Sequence, residues 1–518
     1  MAKCGLHTGL LSLPNELLVT VAGHFAASPD KMDLPRAGAV CTRSTDYNSL
    51  LSLSSTSRRF AAVNRPLIYR VVELTDIKGM LLLIRTLLGH RDLRHLVLHL
   101  SIGCVVRKKI SDEDGLQDMI AACATYLNSI KSLDGQDQRM LGYFKIGERS
   151  TVCIEGIHYG GVLGGFLAAL LCLTPSVETL RFLANGRWDP RQWRRDAEQD
   201  PLDTMKVMVK DLISWLEPQP MSKIRRLQLI CCKPNTTVTQ DRFSDCSIPM
   251  RVFSSLCPTL QVIETFGDNG WWITPSTSNS FSAPGKILEV TALNSHSLGQ
   301  NVAGIGRNFR GLQKLTIRVT EKPLYGQVDI ERGLLGLADS LEYLHIELPW
   351  DKPFIEQLGR DSRLECLHKM NHLRHLHVQL GALCPQAMPL IEGPVSKSGS
   401  QLGDYSLAVD LPPSLESLEL VETLQMAYKD LDDGMGVTVR RWLRHEYDHA
   451  LMNMILEFCT QASSTQPCLR YFCLLAARET EVLKKHVPVI KDVCAAQSIV
   501  AEVEVPGFGK RKNVRHLL

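Results

Sequence analysis

The sequence predicts an α/β protein in which a short helical N-terminal module precedes an irregular solenoid of helix–strand repeats. Two patterns lead to this prediction. Apolar residues recur at helical spacing near the N-terminus, and the pattern apolar-x-x-apolar-x-apolar then returns along the rest of the chain. The length of 518 residues adds a third observation, because it exceeds what one compact core holds, so several units or an elongated array are expected.

The first helix is predicted in residues 10–25, LLSLPNELLVTVAGHF. Pro14 suits a first helical turn, because its φ is already fixed and no N–H is needed there. Glu16 follows where the positive end of the helix dipole favours an acid. Leu17 and Leu18 then begin an apolar stripe at helical spacing, which indicates that one face of the helix packs against other apolar groups.

Two further helices are predicted before the repeats begin. The run LLSLSSTSRRF at 50–60 predicts the second, and Asn64-Arg65-Pro66 predicts the start of a third that leads into the strand-like VVEL. Between the first two helices, residues 26–49 contain two prolines and many small polar residues, which indicates a loop. Three short helices so rich in Leu cannot bury all their apolar surface among themselves, so part of it is expected to meet another domain or a partner.

These segments together resemble an F-box, in the form common in fungal proteins. LPNELL at 13–18, LLSLSSTSRRF at 50–60 and RPLIYRVVEL at 65–74 match the three pieces of that family in order, with an insertion at 26–49 where the family has only a few residues. The resemblance covers 10–75 and implies docking on the Skp-type adaptor of a cullin ubiquitin ligase, through apolar anchors at helical spacing. The positions that match the contact motif of the family are Leu13, Pro14, Leu17, Leu18, Leu50, Leu51, Leu53, Ser57 and Phe60.

The repeat pattern is assigned to residues 76–500. It reads LRHLVL at 93, VETLRF at 177, IRRLQL at 224, LQKLTI at 312, LEYLHI at 341, LRHLHV at 373, LESLEL at 415 and LRYFCL at 469, with weaker copies at 260 and 287. Starts from 287 to 373 differ by 25, 29 and 32 residues, close to the periods of leucine-rich repeats. Each copy predicts one short strand that cannot bury its apolar face alone. The combination resembles fungal F-box/leucine-rich-repeat proteins.

Side chains that alternate with the buried apolar positions are expected on the concave face of such a solenoid. A mixture of Arg, His and Tyr on this face suits the binding of a target protein. The residues predicted to bind the target are His95, Arg181, Arg226, Arg318, Tyr343, His345, His375 and His377, with Glu347 on the same face.

Composition bears on three further expectations, namely nucleic-acid binding, membrane association and cellular location. The net charge of +3 gives no support to nucleic-acid binding. The most apolar stretch, Val162–Leu173, is too short to cross a bilayer and predicts a buried helix, so no membrane association is expected. With 16 cysteines and no apolar leader, reduced thiols and a cytoplasmic or nuclear location are expected. A flexible N-terminus at 1–9 and a basic tail at 501–518 are predicted to flank the folded part.

Three functions follow from these patterns. The resemblance favours a substrate-recognition subunit of a Skp–cullin–F-box ligase, with no catalysis and no cofactor of its own. One alternative is a leucine-rich-repeat scaffold that works outside a ligase. The other is a metal hydrolase, because HEYDH at 445–449 would let His445 and His449 bind zinc while Glu446 acts as base, although charges on the same helix argue against it. A histidine cluster is interpreted as a surface ladder rather than a metal site, and its members are His368, His372, His375 and His377.

Overall fold

The structure is a computed structural model that describes residues 14–25, 45–74, 77–103, 167, 169–185, 223–232, 257–266, 287–295, 298–319, 330–347, 364–383, 407, 411–422, 437–476 and 480–505. The chain divides into two compact units, Met1–Gly267 and Asp268–Leu518. In each unit parallel strands pair in chain order, with helices or loops between them. The predicted α/β class, with one parallel strand per repeat, is therefore confirmed.

The first unit opens with three helices that pack against one another. They are α1 (Asn15–Phe25), α2 (Thr45–Thr56) and α3 (Arg58–Arg70). Each helix contributes a buried apolar side chain, Leu18 from α1, Leu50 from α2 and Phe60 from α3.

The boundaries of the second and third helices differ from the predicted ones. Helix α2 begins at Thr45, inside the segment that the sequence suggests is a loop, and the rest of that segment lies outside the described residues. Helix α3 begins just after Ser57, whose side chain accepts a hydrogen bond from the N–H of Phe60 at 3.1 Å. The prediction that this helix starts at Asn64 is wrong, because the Ser57 cap satisfies an otherwise unpaired N–H about two turns earlier. Pro66 therefore lies inside the helix.

Parallel strands follow in the described part of the first unit, each paired with the next. They are β1 (Val71–Leu74), β2 (His99–Gly103), β3 (Thr179–Asn185), β4 (Arg226–Cys232) and β5 (Val262–Phe266), with helix α4 (Ile77–Gly89) and a 3-10 turn (Arg91–Leu93) between β1 and β2. Strand β1 continues directly from α3, so the helical module and the sheet share one chain segment. Leu167 and residues 169–173 are helical and mostly buried, as predicted for the apolar stretch there.

The first repeat begins at Val97 rather than at Leu93. Val97, Leu100 and Ile102 are buried, whereas Leu93 ends the 3-10 turn. The reason is pairing with the preceding strand, because the N–H of Leu98 donates to the carbonyl of Arg70 at 3.1 Å. His95 therefore lies in an exposed turn before the strand, not on the strand where the pattern at 93 would have it.

The second unit contains a longer run of parallel strands among its described residues. They are β6 (Glu289–Ser295), β7 (Lys314–Val319), β8 (Tyr343–Glu347), β9 (His375–Gln379), β10 (Ser417–Val421), β11 (Tyr471–Leu475) and β12 (Val500–Glu504). The helices between them are α5 (Leu298–Asn308), α6 (Ile330–Leu335), α7 (Leu380–Leu383), α8 (Val437–Thr465) and α9 (Glu481–Ala496), with a 3-10 turn at Glu365–Lys369.

Both weaker copies of the repeat, at 260 and 287, are strands, which confirms their assignment. Strand β12 was not predicted, and it extends past the point at which the basic tail was expected to begin. Residues 506–518 lie outside the described part of the chain. Among the helices that the structure describes, none is long and apolar enough to cross a membrane.

The repeats are joined by a recurrent side-chain bond as well as by their strands. The hydroxyl just before the first apolar position of a repeat donates to the backbone carbonyl of the matching position one repeat earlier. The bonds run from Thr259 to Ile224 at 3.0 Å, from Ser340 to Leu312 at 2.8 Å and from Ser414 to Leu373 at 2.8 Å. Ser or Thr at this position therefore links successive repeats within each unit.

Candidate functional site

Side chains on one face of the second-unit sheet form rows that run across the strands. The middle row contains Thr316, His345, His377 and Glu419, one residue from each of β7 to β10, in direct register. Neighbouring parallel strands lie about 4.8 Å apart, so side chains at matched positions touch. The row therefore brings together residues that are far apart in the sequence.

Two histidines lie at the centre of this row. The rings of His345 and His377 are stacked, with centroids 3.8 Å apart and planes 18° from parallel. Nδ1 of His377 lies 2.8 Å from Oε2 of Glu419, and Nε2 of His345 lies 3.0 Å from Oε1 of Glu347. Because a carboxylate only accepts hydrogen bonds, each of these ring nitrogens carries the proton and donates it.

Glu347 connects the histidines to a cation. Its Oε2 atom lies 2.9 Å from Nε of Arg318, and its Oε1 atom lies 3.7 Å from Nε2 of His377 in addition to its bond with His345. The carboxylate is thus fixed by Arg318 on one oxygen while the other oxygen faces both imidazole rings. We call Arg318, His345, Glu347, His377 and Glu419 the histidine cluster.

The electrostatics of the histidine cluster set the protonation of Glu347 and His345 at neutral pH. Burial by itself raises the pKa of Glu347, but the hydrogen bond from His345 and the charge of Arg318 outweigh it and bring this pKa to about 2. Burial lowers the pKa of His345, with a further contribution from His377, in spite of its hydrogen bond with Glu347. Glu347 is therefore ionised and His345 is neutral at pH 7.

One buried nitrogen of the cluster has no hydrogen-bond partner. The side chain of His377 is only 7% exposed, and its Nε2 atom is buried without a hydrogen bond. An unsatisfied buried polar atom costs about 1–3 kcal/mol. The donor atoms of His345, Glu347 and His377 lie within 4.8 Å of one another. Among the described residues, no other group of three His, Cys, Asp or Glu side chains brings its donor atoms this close. These three residues could hold a metal ion.

A second row borders the cluster. Nζ of Lys314 lies 3.4 Å from Oε1 of Glu289 and 5.1 Å from the ring centroid of Tyr343. Burial and the nearby carboxylates, Glu419 first among them, raise the pKa of Tyr343 to about 12. The ring of His375 lies 6.2 Å from that of Tyr343 and is exposed, so His375 belongs to this row and not to the histidine cluster.

Three of the four histidines that the sequence predicts to form a surface ladder are exposed, but only His375 of these three lies on a strand. His368, His372 and His375 are exposed, whereas His377 is buried. His377 is buried because it lies in the centre of the sheet between the side chains of β8 and β10, while the other three lie in the 3-10 turn, the following turn and the first position of β9.

The arginines predicted for the first unit lie in a comparable polar row. Arg181 is buried and donates from Nε to Oε1 of Gln228 at 2.6 Å, and Gln228 donates in turn to Oε2 of Glu264. Nε of Arg226 lies 3.9 Å from the same Glu264 oxygen. Both arginines are thus on the face that the repeat pattern predicts. Arg181 is buried in the polar row, whereas Arg226 is partly exposed at its border.

The positions predicted to contact the adaptor differ in exposure. Leu17 is 50% exposed and Leu51 is 37% exposed, and Pro14 is exposed as well. Leu53 and Ser57 are half-buried; Leu18, Leu50 and Phe60 are buried in the core of the chain; Leu13 lies outside the described residues. The apolar surface on α1 and α2 therefore consists mainly of Leu17 and Leu51, together with Val19, which the sequence did not single out.

The HEYDH segment is helical, as predicted, and lies within α8. The side chains of His445 and Glu446 lie outside the described residues, so their geometry is not part of the site. The ring of His449 meets that of His486 of α9 edge to face, with centroids 5.7 Å apart.

Glu419 is the member of the histidine cluster that sequence reasoning missed. The repeat LESLEL at 415 carries the signal, because its middle alternate position is Glu419, in the same register as His377. No protein-family model matches the chain, and no curated protein matches it either. The residues and their geometry therefore carry the functional proposal.

Proposed function

We propose that this protein is a target-recognition subunit of a Skp–cullin–F-box ubiquitin ligase. Helices α1–α3 would dock on the Skp-type adaptor, and the strand faces of the repeats would bind a target protein. The chain would perform no chemistry itself, because ubiquitin transfer takes place on other subunits. Its contribution would be to hold the target near the site of transfer, where proximity replaces a bimolecular encounter.

The observation that carries this proposal is the exposure of large apolar side chains on α1 and α2. Seven such side chains are exposed across the described residues, and three of them, Leu17, Val19 and Leu51, belong to these two short helices. Two of the three are positions that match the contact motif of the F-box family. Exposed apolar anchors on helices are what helix-in-groove recognition requires.

The buried positions of the same motif support the proposal in a different way. Leu18, Leu50 and Phe60 are buried, one in each of three helices that contact one another, so the exposed residues are presented from a packed support. A preorganised surface loses less conformational entropy on binding than a flexible one.

The strand faces support the target-binding half of the proposal. Charged and aromatic side chains of the second unit, including Lys314, Tyr343 and Arg318, are partly exposed on the sheet face and held by ion pairs or ring contacts. Tyr and Arg are enriched at protein interfaces, whereas Lys is depleted there. A scaffold that works outside a ligase would use the same faces, so adaptor binding is what separates the two functions.

The experiment is co-expression of the full chain with a Skp-type adaptor, followed by affinity capture of the adaptor. Leu17→Asp and Leu51→Asp are the test variants, and Val489→Asp is the matched control, because Val489 is an equally exposed apolar residue, 44%, on helix α9. Capture of the wild type and the control, with loss of the two test variants, supports the proposal. Failure of the wild type to bind, or equal binding by all variants, would reject it.

The buried Leu18 is unsuitable for this test. Its side chain is fully buried, so Leu18→Asp would place a carboxylate in an apolar core and unfold the module. Loss of binding in that variant would not distinguish a contact residue from a core residue. Leu17 and Leu51 avoid this ambiguity because their side chains already meet solvent.

A further inference from the structure

We infer that the histidine cluster is a binding site for a divalent transition-metal ion of the zinc type, held by Nε2 of His345, Nε2 of His377 and a carboxylate oxygen of Glu347. The site lies on the sheet face of the second unit and is independent of adaptor docking by α1–α3. Success or failure of one proposal therefore leaves the other untouched.

The distances from the Glu347 carboxylate to the two histidine nitrogens suit one ion, and all three donor atoms lie within 4.8 Å of one another. Zinc binds imidazole nitrogen and carboxylate oxygen at about 2.0–2.2 Å in a tetrahedral arrangement, which separates neighbouring ligand atoms by about 3.3 Å. Oε1 of Glu347 lies 3.0 Å from Nε2 of His345 and 3.7 Å from Nε2 of His377. Both separations are within half an ångström, roughly, of the tetrahedral value.

The unpartnered nitrogen points to a ligand. Nε2 of His377 is buried and has no hydrogen bond, while Nδ1 of the same ring donates to Glu419. Because the proton is on Nδ1, the lone pair of Nε2 is free to bind a cation. A histidine whose second nitrogen donates to a carboxylate is the usual arrangement around a zinc ligand, since that bond fixes the tautomer and raises the basicity of the ring.

Glu347 is prepared for the same role. Arg318 holds Oε2 at 2.9 Å, so Oε1 remains directed towards the two rings. The carboxylate carries its charge, which would offset part of the charge of a divalent ion. Two imidazoles with one carboxylate form a ligand set that zinc proteins use, and it leaves a fourth position for water or for a donor from a bound protein.

Binding requires one local rearrangement. The two ring planes are only 18° from parallel, so ligand bonds in the planes of the two rings would not converge on one point. One ring must turn about its side-chain bonds before both can reach the same ion. His345 is the ring with room to turn, since its side chain is 19% exposed against 7% for His377. Nε2 of His345 must also give up its proton, to solvent or to Nδ1, when the metal binds.

The test uses the full chain, stripped of metal with a chelator and titrated with Zn²⁺ by calorimetry and with Co²⁺ by visible absorption. We expect one ion to bind per chain with nitrogen and oxygen ligands. His345→Gln and His377→Gln should each weaken Zn²⁺ binding by more than about 100-fold, and Glu419→Gln should weaken it by about 10–100-fold, as removal of an outer-shell partner does. Circular dichroism establishes that each variant is folded.

His375→Gln is the matched control, because His375 is on the same strand, is exposed and contacts Tyr343 rather than the cluster. His449→Gln separates this site from the HEYDH segment. Retained binding in both controls, with loss in the cluster variants, supports the inference. If the wild type binds no Zn²⁺, or if His345→Gln and His377→Gln bind it as the wild type does, the inference is wrong. Should His377→Gln fail to fold, the partly exposed His345→Gln decides the question.

Discussion

The close packing of α5 on α6 gives a prediction about how neighbouring repeats fit together. Gly306 of α5 faces Gly333 of α6, and a methyl group added to Gly306 would lie 2.8 Å from the carbonyl carbon of Gly333 and closer still to its oxygen. The approach is equally close from the α6 side, because a methyl group on Gly336, just after α6, would lie 2.8 Å from the backbone oxygen of Gly306. The obstructing atoms are backbone, so no side chain can rotate to make room. We therefore expect Gly306→Ala to force the two helices apart.

The size of the effect follows from two opposing terms. Overpacking of a close contact costs about 1–3 kcal/mol, and the upper end applies here because two helices must move together with the buried Ile305 and Leu334. Replacing Gly by Ala inside a helix regains about 1 kcal/mol of helix propensity. We therefore expect a net loss of about 2 kcal/mol in the local stability of the second unit, which corresponds to roughly 30-fold more frequent opening.

Hydrogen exchange followed by mass spectrometry is the appropriate assay, because it reports on peptides from each unit separately. Peptides covering α5, α6 and the intervening β7 should exchange roughly 30-fold faster in Gly306→Ala, while peptides from the first unit should not change. Gly311→Ala is the control, since no atom lies within 4 Å of a methyl group at that position. If Gly306→Ala exchanges like Gly311→Ala, the backbone-to-backbone packing of α5 and α6 is refuted.

Two further predictions concern side chains outside the candidate site. Ser340→Ala removes the hydroxyl that donates to the Leu312 carbonyl at 2.8 Å, and it should lower the stability of the second unit by about 1 kcal/mol in urea titration; an unchanged unfolding midpoint would contradict a linking role for this bond. Burial raises the pKa values of the Cys257 and Cys366 thiols to about 12. Because only the thiolate reacts and a raised pKa keeps the thiol protonated until the pH approaches that value, iodoacetamide at pH 8 should leave both unmodified in the native protein while it alkylates the exposed Cys468, as peptide mapping will show. Equal modification of all three in folded protein would contradict the burial of the first two.

The repeat strands were predictable because their apolar positions are strongly patterned. At Leu341, Leu344 and Ile346 the pattern in the sequence and the burial in the structure coincide. The first repeat was assigned too early because two overlapping copies of the pattern occur there, and only pairing with β1 selects the one that begins at Val97. Strand β12 was missed because its sequence, VAEVE, lacks the leucines on which the pattern depends.

The sequence predicts the face on which most of the histidine cluster lies, but not which of its side chains contact one another. His375 and His377 are two residues apart on one strand, so the sequence suggests that they form a pair. Their Cα atoms are nevertheless separated by two strand steps of about 3.3 Å each. The neighbour of His377 is His345, one strand away in direct register, and this contact depends on the pairing of β8 with β9. Sequence spacing reveals side chains on one strand, whereas the cluster consists of side chains from four strands.

The most direct test of the proposed function is the affinity of the purified full chain for a Skp-type adaptor, measured for the wild type, Leu17→Asp and Val489→Asp. Burying the exposed half of a Leu side chain is worth about 1 kcal/mol, and a carboxylate left in its place adds a desolvation cost, so Leu17→Asp should weaken binding by more than about tenfold. The wild type and Val489→Asp should bind equally in a complex with one adaptor per chain. No complex with the wild type, or equal affinity for Leu17→Asp, would contradict the ligase proposal.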